Sequence, residues 1–433
     1  SCPIQIENDD DLDPEMWTSD DIPLSESYVD TTTLPSLGIP QDIQVCLFLI
    51  KRVKNDDDGN SLNLRTKRFC SGGGDSTSFE TWSSSKFIAM GNAAGKLREE
   101  CQFNDDGTMG LESNITYIKS GVEVPTPLGD LATVVASYDT TAGLTSNSVS
   151  SYFHDLGWRD RAYELATEWL KVNNTNAAAS ASLGGNYGEP TPSSLGFELS
   201  DESSGSDNHK TMFTLNQNQN IRTKEEEVCD ATPDPTDKSY DNSLTALALA
   251  EAHRRLSLHR EVNQSTMVFP NVTWEDVQHL LYGAVQSNLF SSPQADVVWG
   301  GLSTDPAIYI QSALESALED ILDDDDGSSS SALSQIDAAN NGTWRIFSKL
   351  GAGYSSSRNV GEIVTAGYSC IPLSTTNNMN KKNNKEDNLS GGYEFTIAAR
   401  ASVAFDYELS RAEDRLIDGV KAVISAMVQG LIE

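Results

Sequence analysis

The chain has 433 residues, of which 38% are apolar and 8% aromatic, enough for a large core and incompatible with disorder throughout. Sixty-four Asp and Glu against 30 Lys and Arg give a formal net charge of −34, a surface that repels phosphate backbones and argues against a nucleic-acid partner. The longest apolar run, Val45-Cys46-Leu47-Phe48-Leu49-Ile50, is far shorter than the ~20 residues of a membrane span.

Residues 1–40 are acidic, carry Pro and Thr and show no period; they read as an extended arm preceding one folded domain over 41–433. Two strands are predicted at 42–53 and 62–70, joined through Asn55-Asp56-Asp57-Asp58-Gly59-Asn60 as a β-hairpin. A Gly-rich stretch at 72–74 leads to a helix starting near Ser83, whose Phe87, Ile88, Ala89 and Met90 demand deep burial. A second helix is predicted over 157–171. Residues 172–240, rich in Asn, Ser, Gly and Pro, read as a polar insertion or surface loop. Helices follow at 243–257, at 274–285 with Thr273 as N-cap, and at 307–322; Asp323 to Asp326, Gly327 and four serines then form a solvated loop. Strands are predicted at about 343–349, 359–370 and 392–405, before a closing amphipathic helix over 410–432.

This order predicts an α+β fold, with an antiparallel sheet built from both chain ends and flanked by a helical block over about 84–340. A lone hairpin is marginal and Val45 to Ile50 needs neighbours on both sides. The hairpin and the 343–405 strands are therefore expected in one sheet, with the terminal helix packed on it.

Six cysteines (Cys2, Cys46, Cys70, Cys101, Cys229 and Cys370) with no C-x-x-C pair argue for disulfides over a zinc site. N-glycosylation sequons occur at Asn114, Asn173, Asn263, Asn271, Asn341 and Asn388, and the first residue is Ser. Together these features predict a secreted, extracellular glycoprotein with most cysteines paired.

Several chemistries drop out. None of the Asp runs has EF-hand spacing, because Lys54, Gln102 or Leu322 would fall at the first ligand position. Gly91-Asn92-Ala93-Ala94-Gly95-Lys96-Leu97 lacks one spacer and the Ser or Thr of a phosphate-binding loop. His154, His209, His253, His259 and His279 form no H-E-x-x-H and read as surface residues, and there is no G-x-S-x-G. No metal or cofactor is implied.

What survives is Ser83-Ser84-Ser85-Lys86, an S-x-x-K at the start of a buried helix. Ser83 would sit at a helix N-terminus whose own N–H can stabilise an oxyanion. Lys86, one turn on, faces the same side, where burial favours the neutral amine that a base needs. The bland alternative is a Ser N-cap and a snorkelling Lys, since the pattern is expected about once by chance in so Ser-rich a chain.

The segment Phe79 to Met90, placed directly after a hairpin, resembles the first motif of the serine β-lactamase and penicillin-binding protein superfamily. Lys349-Leu350-Gly351-Ala352-Gly353, following the apolar stretch Thr343 to Ser348, resembles that superfamily's K-T-G strand. For the middle S-x-N motif the better candidate is Ser137-Tyr138-Asp139, followed by Thr140-Thr141-Ala142, and Ser146-Asn147 is the second. Leu244 to Leu256 is similar to a helix found midway through these proteins. The resemblance covers about 42–433, interrupted at 172–240.

It implies a β-lactamase/transpeptidase-like fold and a set of roles. Ser83 would be the acylated nucleophile and Lys86 its base. Ser137 would relay a proton to the leaving group, with Asp139 in the Asn place. Lys349 would supply positive charge for a substrate carboxylate, beside Gly351, and the Ala352 N–H would be the second oxyanion donor. Two positions depart from the pattern: Leu350 stands where the family has Thr or Ser, and Asp139 beside Lys86 would form an ion pair that keeps the lysine protonated. For a Glu that activates a deacylating water, Glu168 and Glu189 are unplaced candidates.

The expected function is a secreted serine hydrolase forming an acyl-enzyme on an amide or ester of a small-molecule or peptide-like substrate. The alternative is an inert scaffold of the same fold, acting as an extracellular binding or surface protein.

Overall fold

The computed structural model describes residues 38–40, 42–54, 62–100, 114–119, 122–137, 145–169, 181–187, 240–259, 269–282, 308–322, 345–371 and 392–432, with short pieces at 7–8, 18–19, 102–103, 107–108, 110–111, 213–216 and 298–299. Five long strands, β1 (Gln44–Lys54), β2 (Leu62–Ser71), β3 (Arg345–Ser355), β4 (Val360–Ile371) and β5 (Tyr393–Ala404), pair antiparallel in the order β3-β4-β5-β1-β2. Val298–Trp299 runs parallel beside the outer edge of β3, paired with Ile346 and Phe347. Thr18–Ser19 pairs with β2, and Glu7–Asn8 runs parallel to β1.

The two chain ends meet in the β5–β1 ladder, where Ile397 pairs with Leu47 and Ala399 with Val45. The hairpin and the C-terminal strands thus form one sheet. Together with the helices it makes an α+β molecule.

The helices are α1 (Lys86–Glu100), α2 (Leu128–Ser137), α3 (Ser146–Leu156), α4 (Arg159–Glu164), α5 (Ala246–Ser257), α6 (Trp274–Tyr282), α7 (Ile308–Leu322) and α8 (Leu409–Val428). No described helix is long and apolar enough to cross a membrane.

The sheet separates two cores. Cys46, Phe48, Phe347, Val364 and Ala398 face a helical block built around α1 and α5. Val45, Leu47, Leu49, Ile346, Leu350 and Ile397 face α7 and α8. Successive strand residues point to opposite faces, so an uninterrupted apolar run is what burial on both faces requires. Helix α8 covers its side with Ala412, Leu416, Val420, Val423 and Met427, at the three- and four-residue spacing of one stripe. Helices α1 and α5 are buried almost all round, which matches their apolar and Ala-rich sequences.

Helices α2 and α3 and the hairpin Asn114–Lys119/Val122–Pro127 lie where the sequence shows no clear period. Residues 157–171, expected as one helix, divide into α4 and a π-helical turn, Leu165–Trp169. The histidine expectation is corrected for three positions. His154, His253 and His259 are buried, bonded respectively to Tyr187 Oη, Leu249 O and Val272 O. Burial pushes His154 down to about 3 and His253 down to about 4, so both are neutral.

Cys46 and Cys70 oppose one another on β1 and β2 and are joined by a disulfide across 24 residues. Cys370 is also disulfide-bonded, to a partner outside the described residues. Removing the Cys46–Cys70 link with the double substitution Cys46→Ala/Cys70→Ala is expected to lower stability by about 2–4 kcal/mol, chiefly by freeing the unfolded chain. The urea midpoints of the two proteins check this; equal midpoints would mean that the β-ladder alone closes the hairpin.

Candidate active site

Helix α1 is entered through a 3₁₀ turn, Trp82–Ser85. Thr81 anchors this turn: its carbonyl accepts from Ser84 N at 3.0 Å and Ser84 Oγ at 2.6 Å, while its own N–H donates to Asn242 O at 2.8 Å. The short ladder Phe79–Glu80/Ser243–Leu244 holds the approach to the turn. Ser83, half-buried, therefore sits in the 3₁₀ turn just ahead of α1 instead of at the α-helical N-terminus the sequence predicts.

Trp82, just before Ser83, has φ +48°, a left-handed backbone that costs a bulky residue on the order of 1–3 kcal/mol and persists only where the surroundings impose it. They do so here. The indole Nε1 donates to Glu362 Oε2 at 3.2 Å, and Glu362 is itself buried and paired with Arg358 at 2.5 Å and Arg400 at 2.6 Å. The ring lies on β3 so closely that a Cβ at position 353 would be 2.4 Å from it. A Cβ at 351 would be 2.5 Å from Thr81 O and 2.8 Å from Ser83 N. Gly351 and Gly353 are thus what lets the edge of β3 touch the Ser83 turn.

Lys86 opens α1 and is fully buried. Its Nζ donates to Ser146 Oγ at 2.9 Å and to Asn147 Oδ1 at 2.5 Å, both on the first turn of α3. Thr145 caps α3 by accepting from Ser148 N, which presents those two side chains to Lys86. Ser146 Oγ donates onward to Val135 O at 3.2 Å. The Tyr187 ring lies beneath, its centroid 5.2 Å from Lys86 Nζ.

Among the described residues the structure thus gathers Ser83, Lys86, Lys349, Gly351 and Ala352 around one turn, and adds Ser146, Asn147 and Tyr187. Ser137 is the last residue of α2, and its side chain is outside the described residues. Asp139 and Glu189 also lie outside them, as does the side chain of Glu168. The second S-x-N candidate, Ser146-Asn147, touches Lys86, whereas the side chains of the first, Ser137-Tyr138-Asp139, lie outside the described residues.

Lys349 shares the face of β3 that carries Phe347 into the helical block, and it is fully buried. Burial, with the nearby Lys86 charge opposing a second cation, pushes its ammonium well below the usual lysine range. Leu350 points the other way, into the α7–α8 core, and does not line this face. Ala352 is exposed.

Tyr187 carries no sequence signal, because it falls in a stretch whose composition reads as surface loop. Yet 181–187 is tied in place by a Ser182–Ser243 bridge and by Gly184 N and Gly185 N donating to Asn242 Oδ1. Asn147 belongs to the weaker of the two S-x-N candidates, and its contact with Lys86 depends on packing between distant helices.

No protein-family model matches the sequence, and no curated protein matches it in sequence. Solved structures similar to this chain include the TLA-3 extended-spectrum β-lactamase, at TM-score 0.43 and 10% identity, covering 92% of this chain and 100% of that one. A β-lactamase from Burkholderia vietnamiensis gives TM-score 0.40 and 9% identity over 93% of this chain and 98% of its own. A peptidoglycan synthetase from Bifidobacterium adolescentis gives TM-score 0.28 and 10% identity, over 89% of this chain and 56% of that one.

Proposed function

We propose that this chain is a β-lactamase-like serine hydrolase that acts by acyl transfer on an amide or ester. Ser83 Oγ attacks the carbonyl, and its proton passes to the Lys86 amine as the C–O bond forms. Ser146, within hydrogen-bond reach of Lys86 Nζ, passes that proton to the leaving group as its bond to the acyl carbon breaks. Asn147 orients Lys86 through its side-chain oxygen, and the N–H groups of Ser83 and Ala352 receive the oxyanion. Ser146 and Asn147 take here the roles the sequence suggests for Ser137 and Asp139.

The observation that carries this reading is the pair of hydrogen bonds from a fully buried Lys86, one turn beyond Ser83, to Ser146 and Asn147. In the same proposal the protein is secreted, the substrate is a small or peptide-like molecule, and glycan at Asn271 is compatible with that residue's exposed, left-handed position.

Lys349 bears on the second reading. It is fully buried, and burial with the nearby Lys86 charge pushes its ammonium well below the usual lysine range, which favours either a neutral substrate or a scaffold without turnover. A fluorophosphonate and a neutral p-nitrophenyl ester are accordingly the fair probes. Intact-mass and peptide analysis are expected to find one adduct on the peptide containing Ser83, absent in Ser83→Ala. No adduct with either probe would leave the scaffold reading standing.

A further inference from the structure

Beneath Lys86 runs a line of polar groups that the acyl-transfer reading does not use. Tyr187 Oη is 3.1 Å from His154 Nε2 and 3.2 Å from Ser85 Oγ. Ser85 Oγ is 2.7 Å from Thr81 Oγ1, which donates to Asn242 O at 3.2 Å. The Tyr187 and His154 rings are nearly parallel, with centroids 5.4 Å apart.

The ends of this line set the direction of its protons. His154 is neutral, pushed down to about 3 by burial and by the nearby Arg159 charge, so it carries one N–H. Its Nδ1 has no partner among the described residues. A buried N–H without an acceptor is the costlier orphan, so the proton belongs on Nε2. His154 then donates to Tyr187, Tyr187 to Ser85, Ser85 to Thr81, and Thr81 to the Asn242 carbonyl. Every hydroxyl in the line both accepts and donates.

Other groups face Lys86 as well. From β3, Lys349 opposes its charge; from α3, Ser146 and Asn147 supply oxygens. Behind His154 stand Arg159 and Asp155, paired with each other at 2.6 Å. The Tyr187 face is an aromatic surface within cation–π distance of the amine.

We propose that Tyr187 is a positioning residue for this site: its ring seats the cationic head of Lys86, and its hydroxyl locks that ring, through Ser85, to the turn that bears Ser83. The proposal rests on the acyl-transfer reading only for the use made of Lys86; the seating itself is independent of turnover.

The test uses the full chain labelled with ¹³C-lysine, with the Lys86 Cε resonance assigned by its loss in Lys86→Met. Its titration midpoint is expected to be lower in Tyr187→Leu by about half to one and a half pH units, the worth of one buried cation–π contact. In Tyr187→Phe, which keeps the ring, it is expected within a few tenths of the wild-type value. The acidic limb of Ser83 labelling should move with the same midpoint. Should Tyr187→Leu fail to fold, Tyr187→Met replaces it. An unchanged midpoint without the ring, or Phe shifting as far as Leu, would overturn the proposal. So would ¹⁵N shifts that place the His154 proton on Nδ1. A shifted midpoint with no Ser83 labelling would remove the acyl-transfer reading and leave the role of Tyr187 in place.

Discussion

Lys86→Met is expected to slow acylation of Ser83 by a factor of about 10² to 10⁴, the usual scale of general-base help, with a stability change of no more than about 1–3 kcal/mol. The reasoning separates two properties of one side chain. As a base, Lys86 is irreplaceable here, because Met holds no proton and the remaining lysine, Lys349, projects from the sheet instead of from α1. As a structural element it is a buried amine whose desolvation cost an apolar side chain of similar volume does not carry, which offsets the hydrogen bonds lost. Ser146 Oγ keeps its bond to Val135 O after the exchange, while Asn147 Oδ1 loses its bond from Lys86. Pseudo-first-order labelling rates with a fluorophosphonate, read beside urea midpoints, decide the matter. A lysine that is only structural would do the reverse, lowering the midpoint and leaving the rate. Lys86→Arg is expected to fail as a rescue, since a guanidinium does not give up its proton near neutral pH.

Asp276→Ala is expected to destabilise the chain by about 3–5 kcal/mol, the range for removing one partner of a buried ion pair. Asp276 is fully buried on α6 and binds Arg98 of α1 through two oxygens, at 2.5 and 2.9 Å. It also accepts from Leu111 N at 2.9 Å and Thr273 N at 3.0 Å, so one carboxylate joins α1, the start of α6 and the chain leading to α2. Its loss removes both carboxylate contacts from the Arg98 guanidinium, which is only 7% exposed.

Burial by itself would raise the Asp276 carboxyl, but the hydrogen bonds and charge of Arg98, with the two backbone N–H groups, hold it below the usual carboxylate range. A depressed folded-state value contributes stability that is complete above the unfolded value, near pH 4, and is lost as pH falls through the folded one. The wild-type protein should therefore lose stability below about pH 4 more steeply than Asp276→Ala. Urea midpoints from pH 7 down to pH 2.5 check both the size and the slope. If Asp276→Ala costs under about 1 kcal/mol, α1 and α6 are held by apolar packing alone.

Much of the fold is legible locally. Val45 to Leu49 alternates between two cores without a polar break, so its sequence alone calls for a strand covered on both faces. The stripe Leu416, Val420, Val423, Met427 has the period of one helical face, and Thr245 and Thr273 stand at the starts of their helices. Ser83 and Lys86, three residues apart, are brought near one another by local spacing, although the turn that carries them is held by Asn242, Glu362 and β3.

Other features depend on contacts between distant segments. Local sequence ranks Ser137-Tyr138-Asp139, followed by Thr140-Thr141-Ala142, ahead of Ser146-Asn147 and gives no sign that the latter reaches Lys86. That contact comes from α3, which packs against α1 and brings Ser146 and Asn147 onto Lys86 across 60 and 61 residues of sequence. Nor does composition show that His154, His253 and Tyr187 are buried, because a polar residue is stable inside only when a remote partner meets it. Leu350 looks like a damaged binding position until the parity of β3 turns it into the opposite core. Periodicity and turn chemistry act over a few residues and so determine the elements by themselves. Burial of polar groups and the choice among chemically similar candidates depend on long-range partners, and only the packed tertiary structure supplies those.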